Sequence, residues 1–107
     1  MEKIFNDENF KTDVIEASKS KPVLVDFFAT WCGPCKLQGP VIEEVAKEIG
    51  DKAVVGKINT EEGVATSNQY GVMSIPTIIL FKDGQVKETF VGLQAKDFLL
   101  EAIKKYL

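Results

Sequence analysis

Hydrophobic residues occur along this chain in two patterns: short, nearly continuous runs, and segments in which they recur every three or four positions. The first pattern is typical of buried strands, and the second is typical of helices with one apolar face. The two kinds of segment alternate, which predicts an α/β domain with the order β-α-β-α-β-α-β-β-α and a mixed sheet covered by helices on both faces. The predicted strands span residues 3–5, 23–29, 53–59, 77–82 and 85–91, and the predicted helices span residues 10–19, 34–50, 64–70 and a last segment from about residue 95.

The run VLVDFFA at residues 23–29 is the strongest strand signal in the chain. It consists almost entirely of β-branched, aromatic and aliphatic residues, as expected of a central strand that is buried on both faces. Between the last two predicted strands, the dipeptide Asp83-Gly84 favours a two-residue turn. These two strands are therefore predicted to be antiparallel.

Polar residues and glycines predict where the helices begin and end. Asp7 or Asn9 is expected to cap the first helix, because short polar side chains accept hydrogen bonds from the free amides of a first turn. The second helix is expected to begin at Pro34, to carry Leu37 on its apolar face and to end at Gly50, since glycine readily adopts the conformation that terminates a helix.

The composition is that of one ordinary globular domain, and we assign residues 1–107 to a single domain. Apolar residues make up 45% of the chain and charged residues 27%, without the low hydrophobicity that is typical of disordered chains. The net charge is -3 and the sequence contains no arginine. This composition disfavours nucleic-acid binding, because phosphate recognition relies on clustered positive charge.

The N-terminal sequence MEKIFNDENF has neither a basic segment followed by an apolar stretch nor a small-residue cleavage site. It therefore predicts no export signal. The apolar runs are also much shorter than a helix that crosses a bilayer requires. We expect a cytoplasmic protein that does not interact with membranes.

The two cysteines of the chain, Cys32 and Cys35, lie three positions apart, directly after the predicted central strand and at the start of the second helix. A thiolate at a helix N-terminus faces free backbone amides and the positive end of the helix dipole, which lower its pKa and increase its reactive fraction. Pro34 suits a first helical turn, where its missing N–H is not needed. The pattern indicates thiol-disulfide redox chemistry.

Three other interpretations of the cysteine pair are weaker. A structural disulfide across so short a loop would contribute only about 2 kcal/mol in the chain-entropy model. A structural zinc site needs four ligands, and the sequence has no histidine and no third cysteine. Two inert buried cysteines would not explain the Gly-Pro pair between them. We predict no metal site and no bound cofactor.

With these motifs in place, the chain resembles the thioredoxin family over essentially its whole length. The resemblance is carried by VDFFATWCGPCK at 25–36, Pro40, KIN at 57–59, SIPT at 74–77, FKDG at 81–84 and Val91-Gly92. It implies a three-layer sandwich with a central mixed sheet, and the activity of a protein disulfide reductase. It further implies a thioredoxin reductase, either NADPH-flavin or ferredoxin dependent, as a partner, disulfide-containing proteins as substrates, and a monomer.

The resemblance also implies roles for individual residues. Cys32 would be the exposed nucleophile, and Cys35 the buried thiol that resolves the mixed disulfide. The bond between Ile75 and Pro76 would be a cis peptide bond beside the cysteines. Ile75 would then offer its backbone to an extended substrate.

Asp26 is unusual because it lies within VLVDFF, where an ionised carboxylate is costly to bury. Lys57 belongs to a strand that is expected to be adjacent. One interpretation is a buried ion pair that serves the structure. The other, which the resemblance favours, makes Asp26 the proton acceptor for Cys35, with Lys57 nearby. Both stay open at this point.

An apolar rim around Cys32 is expected to bind substrates. Its members are Trp31, Gly33, Pro34, Ile75, Pro76, Val91, Gly92 and Leu93. Val91 and Leu93 could equally belong to the core, and Gly92 could serve either a turn or a close approach of substrate backbone. An alternative to catalysis is a non-catalytic binding module that uses the same rim as its docking surface.

Overall fold

Five strands form one mixed sheet in a computed structural model that describes residues 2–107. The strands are β1 (Lys3–Phe5), β2 (Val23–Phe28), β3 (Val54–Asn59), β4 (Thr77–Lys82) and β5 (Gln85–Val91). The helices are a π-helical segment (Lys11–Glu16) continued by a 3-10 turn (Ala17–Lys19), then α1 (Gly33–Ile49) with a 3-10 turn (Gly50–Lys52), α2 (Val64–Gln69) and α3 (Lys96–Lys104).

The strand order is β1-β3-β2-β4-β5. The first three are parallel, while β4 is antiparallel to both β2 and β5. The central strand β2 is buried in all but its last residue, which confirms the interpretation of its continuous apolar sequence. A tight turn at Asp83-Gly84 joins β4 to β5, so the predicted antiparallel hairpin is also confirmed.

Helices cover both faces of the sheet, which gives the three-layer architecture. Successive side chains of a strand point to opposite faces, and the core is accordingly divided into two clusters. One cluster joins α1 and α3 to Leu24, Ile78 and Leu80. The other joins the π-helical segment to Val23, Val25 and Phe27 on the opposite face. Asp26 alternates with these residues and therefore lies on the α1 side.

The prediction that Asp7 or Asn9 caps the first helix is wrong. The residue that precedes the π-helical segment is Phe10, and its side chain makes no capping hydrogen bond. Asn6 instead caps the turn before this segment, because its side-chain oxygen accepts the N–H groups of Glu8 and Asn9, each at 2.9 Å. Asn9 contributes through its own side-chain oxygen, which accepts the Asn6 N–H at 2.8 Å. The reciprocal pair satisfies the free amides of this turn. The sequence alone does not show which of three neighbouring polar side chains, Asn6, Asp7 or Asn9, makes the capping hydrogen bonds.

Asp7 caps a different helix, α2. Its carboxylate accepts the Thr66 N–H at 2.9 Å, the Thr66 hydroxyl at 2.7 Å and the Ala65 N–H at 3.2 Å. The bonds from Thr66 lower the pKa of Asp7. This long-range contact fixes α2 to the N-terminal segment.

Helix α1 ends at Gly50, as predicted, with a positive φ of 61°. The placement of Leu37 on its apolar face is wrong, because Leu37 is exposed. The buried face passes instead through Cys35, Gln38, Ile42, Val45, Ala46 and Ile49. Gln38, the residue after Leu37 in the sequence, lies on this buried face, and its polarity concealed the correct helical phase. Within residues 2–107, no helix is both long and apolar enough to span a bilayer.

Candidate active site

Cys32 forms the N-cap of α1, directly after the loop that follows β2. Its backbone is extended, with φ -84° and ψ 118°, and its sulfur accepts the Cys35 N–H at 3.2 Å. Pro34 occupies the first turn, where no intrahelical N–H is required. The two cysteines are joined as a disulfide, with their Cα atoms 5.3 Å apart. The helix terminus therefore points its free amides at the redox pair.

The expected difference in exposure between the two cysteines is absent. Cys32 is 4% exposed and Cys35 is 6% exposed. Cys32 is covered because it packs with Ala29, Phe28 and Ile75, and its sulfur lies 3.7 Å from the Ile75 carbonyl oxygen. The two cysteines thus differ in their surroundings and hardly at all in residue exposure.

Asp26 and Cys35 line the same cavity, which has a volume of about 260 Å³. The other lining residues are Phe28, Ala29, Thr30, Lys36, Gly39 and Lys57. Asp26 is almost completely buried, and its Oδ1 atom has no hydrogen-bond partner. The pKa of Asp26 is raised to about 7: burial is the largest cause, the charge of Glu2 also raises the pKa, and the charge of Lys57 lowers it. The carboxyl group can therefore exchange a proton near neutral pH.

Lys57 is adjacent to Asp26 in the register of β3 and β2, as expected. However, none of the ion pairs between residues 2–107 joins the two side chains. The Lys57 Nζ atom instead lies 3.9 Å from Glu2 Oε1 and 5.4 Å from the centroid of the Phe28 ring. The interpretation of Asp26 and Lys57 as a closed structural ion pair does not fit this geometry.

Glu2 is a member of this cluster that the sequence interpretation missed. Its side chain is 14% exposed, and its Oε2 atom is buried without a hydrogen-bond partner. Burial raises the pKa of Glu2, Lys57 lowers it and Glu43 raises it. No sequence signal separates Glu2 from the other acidic residues near it. Only the placement of β1 beside β3 brings it to Lys57.

We expect Glu2→Gln to lower the pKa of Asp26, because the substitution removes a negative charge that opposes ionisation of the second carboxyl group. The shift should be smaller than the effect of burial, which is the largest cause. Carboxyl-carbon NMR titration of the oxidised protein measures it directly. Glu8→Gln, at an exposed position of the same segment, is the matched control and should leave Asp26 unchanged. An unchanged Asp26 in both variants would contradict the coupling.

The rim predicted around Cys32 contains exposed apolar side chains. Trp31, Val91 and Leu93 are each more than half exposed, so the alternative that Val91 and Leu93 belong to the core is wrong. Gly33 and Pro34 are also exposed. Three of the large side chains near the disulfide therefore present apolar surface to solvent.

The remaining rim residues lie in two loops that contact each other. The bond between Ile75 and Pro76 is cis, as the resemblance implies, and Pro76 is buried while Ile75 is partly exposed. Gly92 has φ 92° and donates its N–H to the Pro76 oxygen at 2.8 Å. No atom lies within 4 Å of the position a Cβ would take at Gly92. The positive φ of the turn accounts for this glycine, and the space above it is open.

A shallow groove extends from Trp31 beyond the predicted rim. It has a volume of about 280 Å³ and is lined by Trp31, Thr60, Val64, Ser67, Asn68, Val72, Met73 and Ile75. Met73 is 95% exposed and was missed, although its position two residues before Ile75 is a signal that could have found it. The apolar surface beside Cys32 is therefore larger than the sequence interpretation indicated.

Comparison with known proteins decides the family. The family model described as Thioredoxin matches residues 2–105. The chain belongs to the thioredoxin family. It is 52% identical over 99 residues to a thioredoxin of Rickettsia typhi, a match that covers 92% of each chain. It is also 46% identical over 101 residues to a thioredoxin of Bacillus subtilis, covering 94% of this chain and 93% of the relative.

Thioredoxin 1 of Synechococcus elongatus is 46% identical over 101 residues, a match that covers 94% of this chain and 92% of the relative. Membership of the thioredoxin family, together with the Cys32–Cys35 disulfide, makes the chain a thiol-disulfide oxidoreductase that reduces protein disulfides. Its substrates are disulfide-containing proteins. The alternative of a non-catalytic binding module is not favoured.

Proposed function

We propose that the Cys32 thiolate attacks the substrate disulfide and that Cys35 resolves the mixed disulfide that results. The position of the Cys32 sulfur at the N-terminus of α1, 3.2 Å from the Cys35 amide nitrogen, is the observation that carries this assignment. A developing thiolate there is stabilised by the free amides and the helix dipole. Cys35 has a different neighbour, the Asp26 carboxyl group across the shared cavity.

In the first step, the Cys32 sulfur bonds to one substrate sulfur while the substrate disulfide breaks, and the other substrate sulfur leaves as a thiolate and takes up a proton. In the second step, Cys35 gives its proton to the Asp26 carboxylate, directly or through water in the cavity. The Cys35 sulfur then attacks Cys32, and the second substrate sulfur leaves as a thiolate. The substrate gains two electrons, and the enzyme is left as the Cys32–Cys35 disulfide.

A pKa of about 7 for Asp26 suits this proton transfer. A carboxyl group with an ordinary pKa would be a weak base, whereas one with a pKa near the working pH combines sufficient basicity with a substantial ionised fraction. Lys57 and Glu2 then adjust the ionisation of Asp26 through their charges. We assign them no contact with the reacting sulfurs.

We propose that substrates bind along the rim. It is formed by Trp31, Gly33, Pro34, Ile75, Pro76, Val91, Gly92 and Leu93. Support comes from the exposed apolar side chains described above, because exposed apolar surface beside a reactive group favours contact with a partner protein. The partly exposed Ile75 offers its backbone to an extended substrate segment. The open space above Gly92 lets such a segment approach closely.

The oxidised protein has to be reduced again before it can act a second time. We propose a thioredoxin reductase for this step, either NADPH-flavin or ferredoxin dependent. We further propose that the chain works as a monomer in the cytoplasm, where such systems keep cysteine thiols reduced. Size-exclusion chromatography with light scattering at micromolar concentration tests the oligomeric state, and a dimer would contradict it.

Reduction of insulin in the presence of dithiothreitol tests the proposed function. We expect the protein to accelerate cleavage of the insulin interchain disulfides well above the rate with dithiothreitol alone, because the helix terminus populates a reactive thiolate. Precipitation of the released B chain gives the rate. The double variant Cys32→Ser and Cys35→Ser is the control. A wild-type rate no higher than that of this control would rule out the function.

A further inference from the structure

Gln38 is a fully buried polar side chain in α1, three residues after Cys35, and the redox steps make no use of it. Both ends of its amide bond to the backbone of one residue in the loop after β5. The Oε1 atom accepts the Gln94 N–H at 2.7 Å, and the Nε2 group donates to the Gln94 oxygen at 3.0 Å. Because the two bonds fix both donor and acceptor, the orientation of this amide is specified.

The hydrogen bonds continue from Gln94 into the substrate surface. The Gln94 Nε2 group donates to the Val91 oxygen at 3.3 Å and to the Gly92 oxygen at 3.2 Å. The Gly92 N–H in turn reaches the Pro76 oxygen at 2.8 Å. A continuous chain of bonds therefore connects the helix that carries both cysteines, the loop at residues 91–94 and the loop of Pro76.

We propose that Gln38 is a positioning residue that holds the loop at residues 91–94 in the conformation required to bind protein substrates. The inference rests on the proposed substrate rim, to which this loop contributes Val91, Gly92 and Leu93. It concerns the binding of large substrates and assigns no role to Gln38 in the exchange of sulfurs.

Besides these bonds, the loop is restrained where Val91, the last residue of β5, pairs with Thr77 of β4. Val91 and Leu93 point into solvent and so gain little from packing in the core, while Gly92 is the residue type with the greatest backbone freedom. Hydrogen bonds have to supply the order that packing does not. A loop ordered before binding saves the entropy that a mobile loop would lose when a substrate immobilises it, which raises affinity.

The alternative is that Gln38 only stabilises the fold. A buried amide that loses its partners destabilises a protein by leaving polar groups unsatisfied, and such a loss affects all substrates alike. A positioning role predicts discrimination: protein substrates, which extend over the rim, should be affected, and a small disulfide that reaches only the sulfur should not.

The test compares the wild type with Gln38→Leu on two substrates. For insulin, we expect kcat/KM to fall by roughly three- to tenfold, mainly through a higher KM, because residues outside the reacting centre contribute through binding. For bis(2-hydroxyethyl) disulfide, we expect a rate within about twofold of the wild type, since the sulfur chemistry is unchanged. The equilibrium potential of the Cys32–Cys35 couple should stay the same. Gln85→Leu, at the exposed opposite end of β5 from Val91, is the matched control.

A second variant makes the result independent of the stability of Gln38→Leu. Gln94→Ala removes the two side-chain bonds to Val91 and Gly92 but keeps the backbone groups that Gln38 binds, and it should show the same discrimination in weaker form. Equal losses on both substrates, or no loss on insulin in either variant, would overturn the role of Gln38. Failure of the wild type to reduce insulin would instead refute the proposed function, so the two outcomes are distinct.

Discussion

Replacing Cys35 by serine is expected to stop the reaction at the mixed disulfide and to trap protein substrates on Cys32. The Cys32 sulfur remains at the N-terminus of α1 in this variant and can complete the first exchange. No thiol is left beside Asp26 to carry out the second. Multiple turnover of insulin should fall to the background rate, and cell extract incubated with Cys35→Ser should yield covalent adducts that dithiothreitol releases. Non-reducing gels followed by mass spectrometry of the linked peptides measure this.

Cys32→Ser is the matched control, because it keeps one thiol on the same helix. It should be equally inactive on insulin and should capture few or no proteins. Because the two cysteines are almost equally buried, exposure alone would predict equal trapping by the two variants. A difference between them would therefore have to come from the position of Cys32 at the helix terminus. If both variants trapped substrates to the same extent, the helix terminus would not select the nucleophile and the assigned roles would have to be withdrawn.

Asp26→Asn is expected to raise the free energy of unfolding of the oxidised protein at neutral pH. The pKa of Asp26 is raised from 3.8 to about 7, with burial as the largest cause, so the folded state holds a proton that the unfolded state releases. Ionisation therefore favours unfolding as the pH increases. A shift of this size corresponds to an order of 4 kcal/mol, at about 1.4 kcal/mol per pKa unit.

The pH dependence of this difference in stability shows whether the ionisation of Asp26 causes it. Below pH 4 the carboxyl group is protonated in both states, and the substitution should change stability little for this reason. From about pH 4 to about pH 7, the wild type should lose stability that Asp26→Asn retains, with a constant difference at higher pH. Urea unfolding at a series of pH values measures both curves. Asp51→Asn, at an exposed position, is the control. Strong destabilisation by Asp26→Asn at pH 7 would favour the structural ion pair after all.

The same substitution should slow the second chemical step, because an amide cannot accept the Cys35 proton. In the proposed mechanism, Asp26 promotes the reaction at the expense of the stability of the fold, a balance that is common among buried groups with a catalytic role. Stopped-flow measurement of mixed-disulfide decay in Asp26→Asn separates this effect from the change in stability. A variant that was more stable and resolved the mixed disulfide at the wild-type rate would exclude Asp26 as the acceptor.

Elements with continuous or strictly periodic apolar sequences were predictable, since burial acts on each of their residues directly. Strands β2 and β4, which are buried in all but their last residue, match the prediction to within one residue. Strands β1 and β5 also have the predicted bounds, although most of their residues are exposed. The sequence also identified Asp26, because a lone carboxylate inside an apolar strand has few explanations. In each case, the signal is local and its physical cause lies within a few residues.

Features that depend on distant parts of the chain were not predictable. Glu2 becomes important only because β1 pairs with β3 on the side away from β4. Gln38 and Gln94 lie 56 positions apart, and neither has a pattern that indicates its partner. The Asp7 cap of α2 is a similar case, because Asp7 and Thr66 lie 59 positions apart. Single-sequence periodicity contains no information about which loop meets which helix.

The central position of β2 also divides the active site into parts of unequal stability. Its backbone is hydrogen-bonded to β3 on one side and β4 on the other, so its amide protons should exchange with deuterium only when the whole domain unfolds. The segment after β5, residues 92–94, is held by side-chain and turn hydrogen bonds, so its amide protons are expected to exchange through local opening. The cysteines therefore lie shortly after the segment expected to exchange most slowly, while the part of the proposed substrate rim at residues 92–94 is expected to exchange faster through local opening.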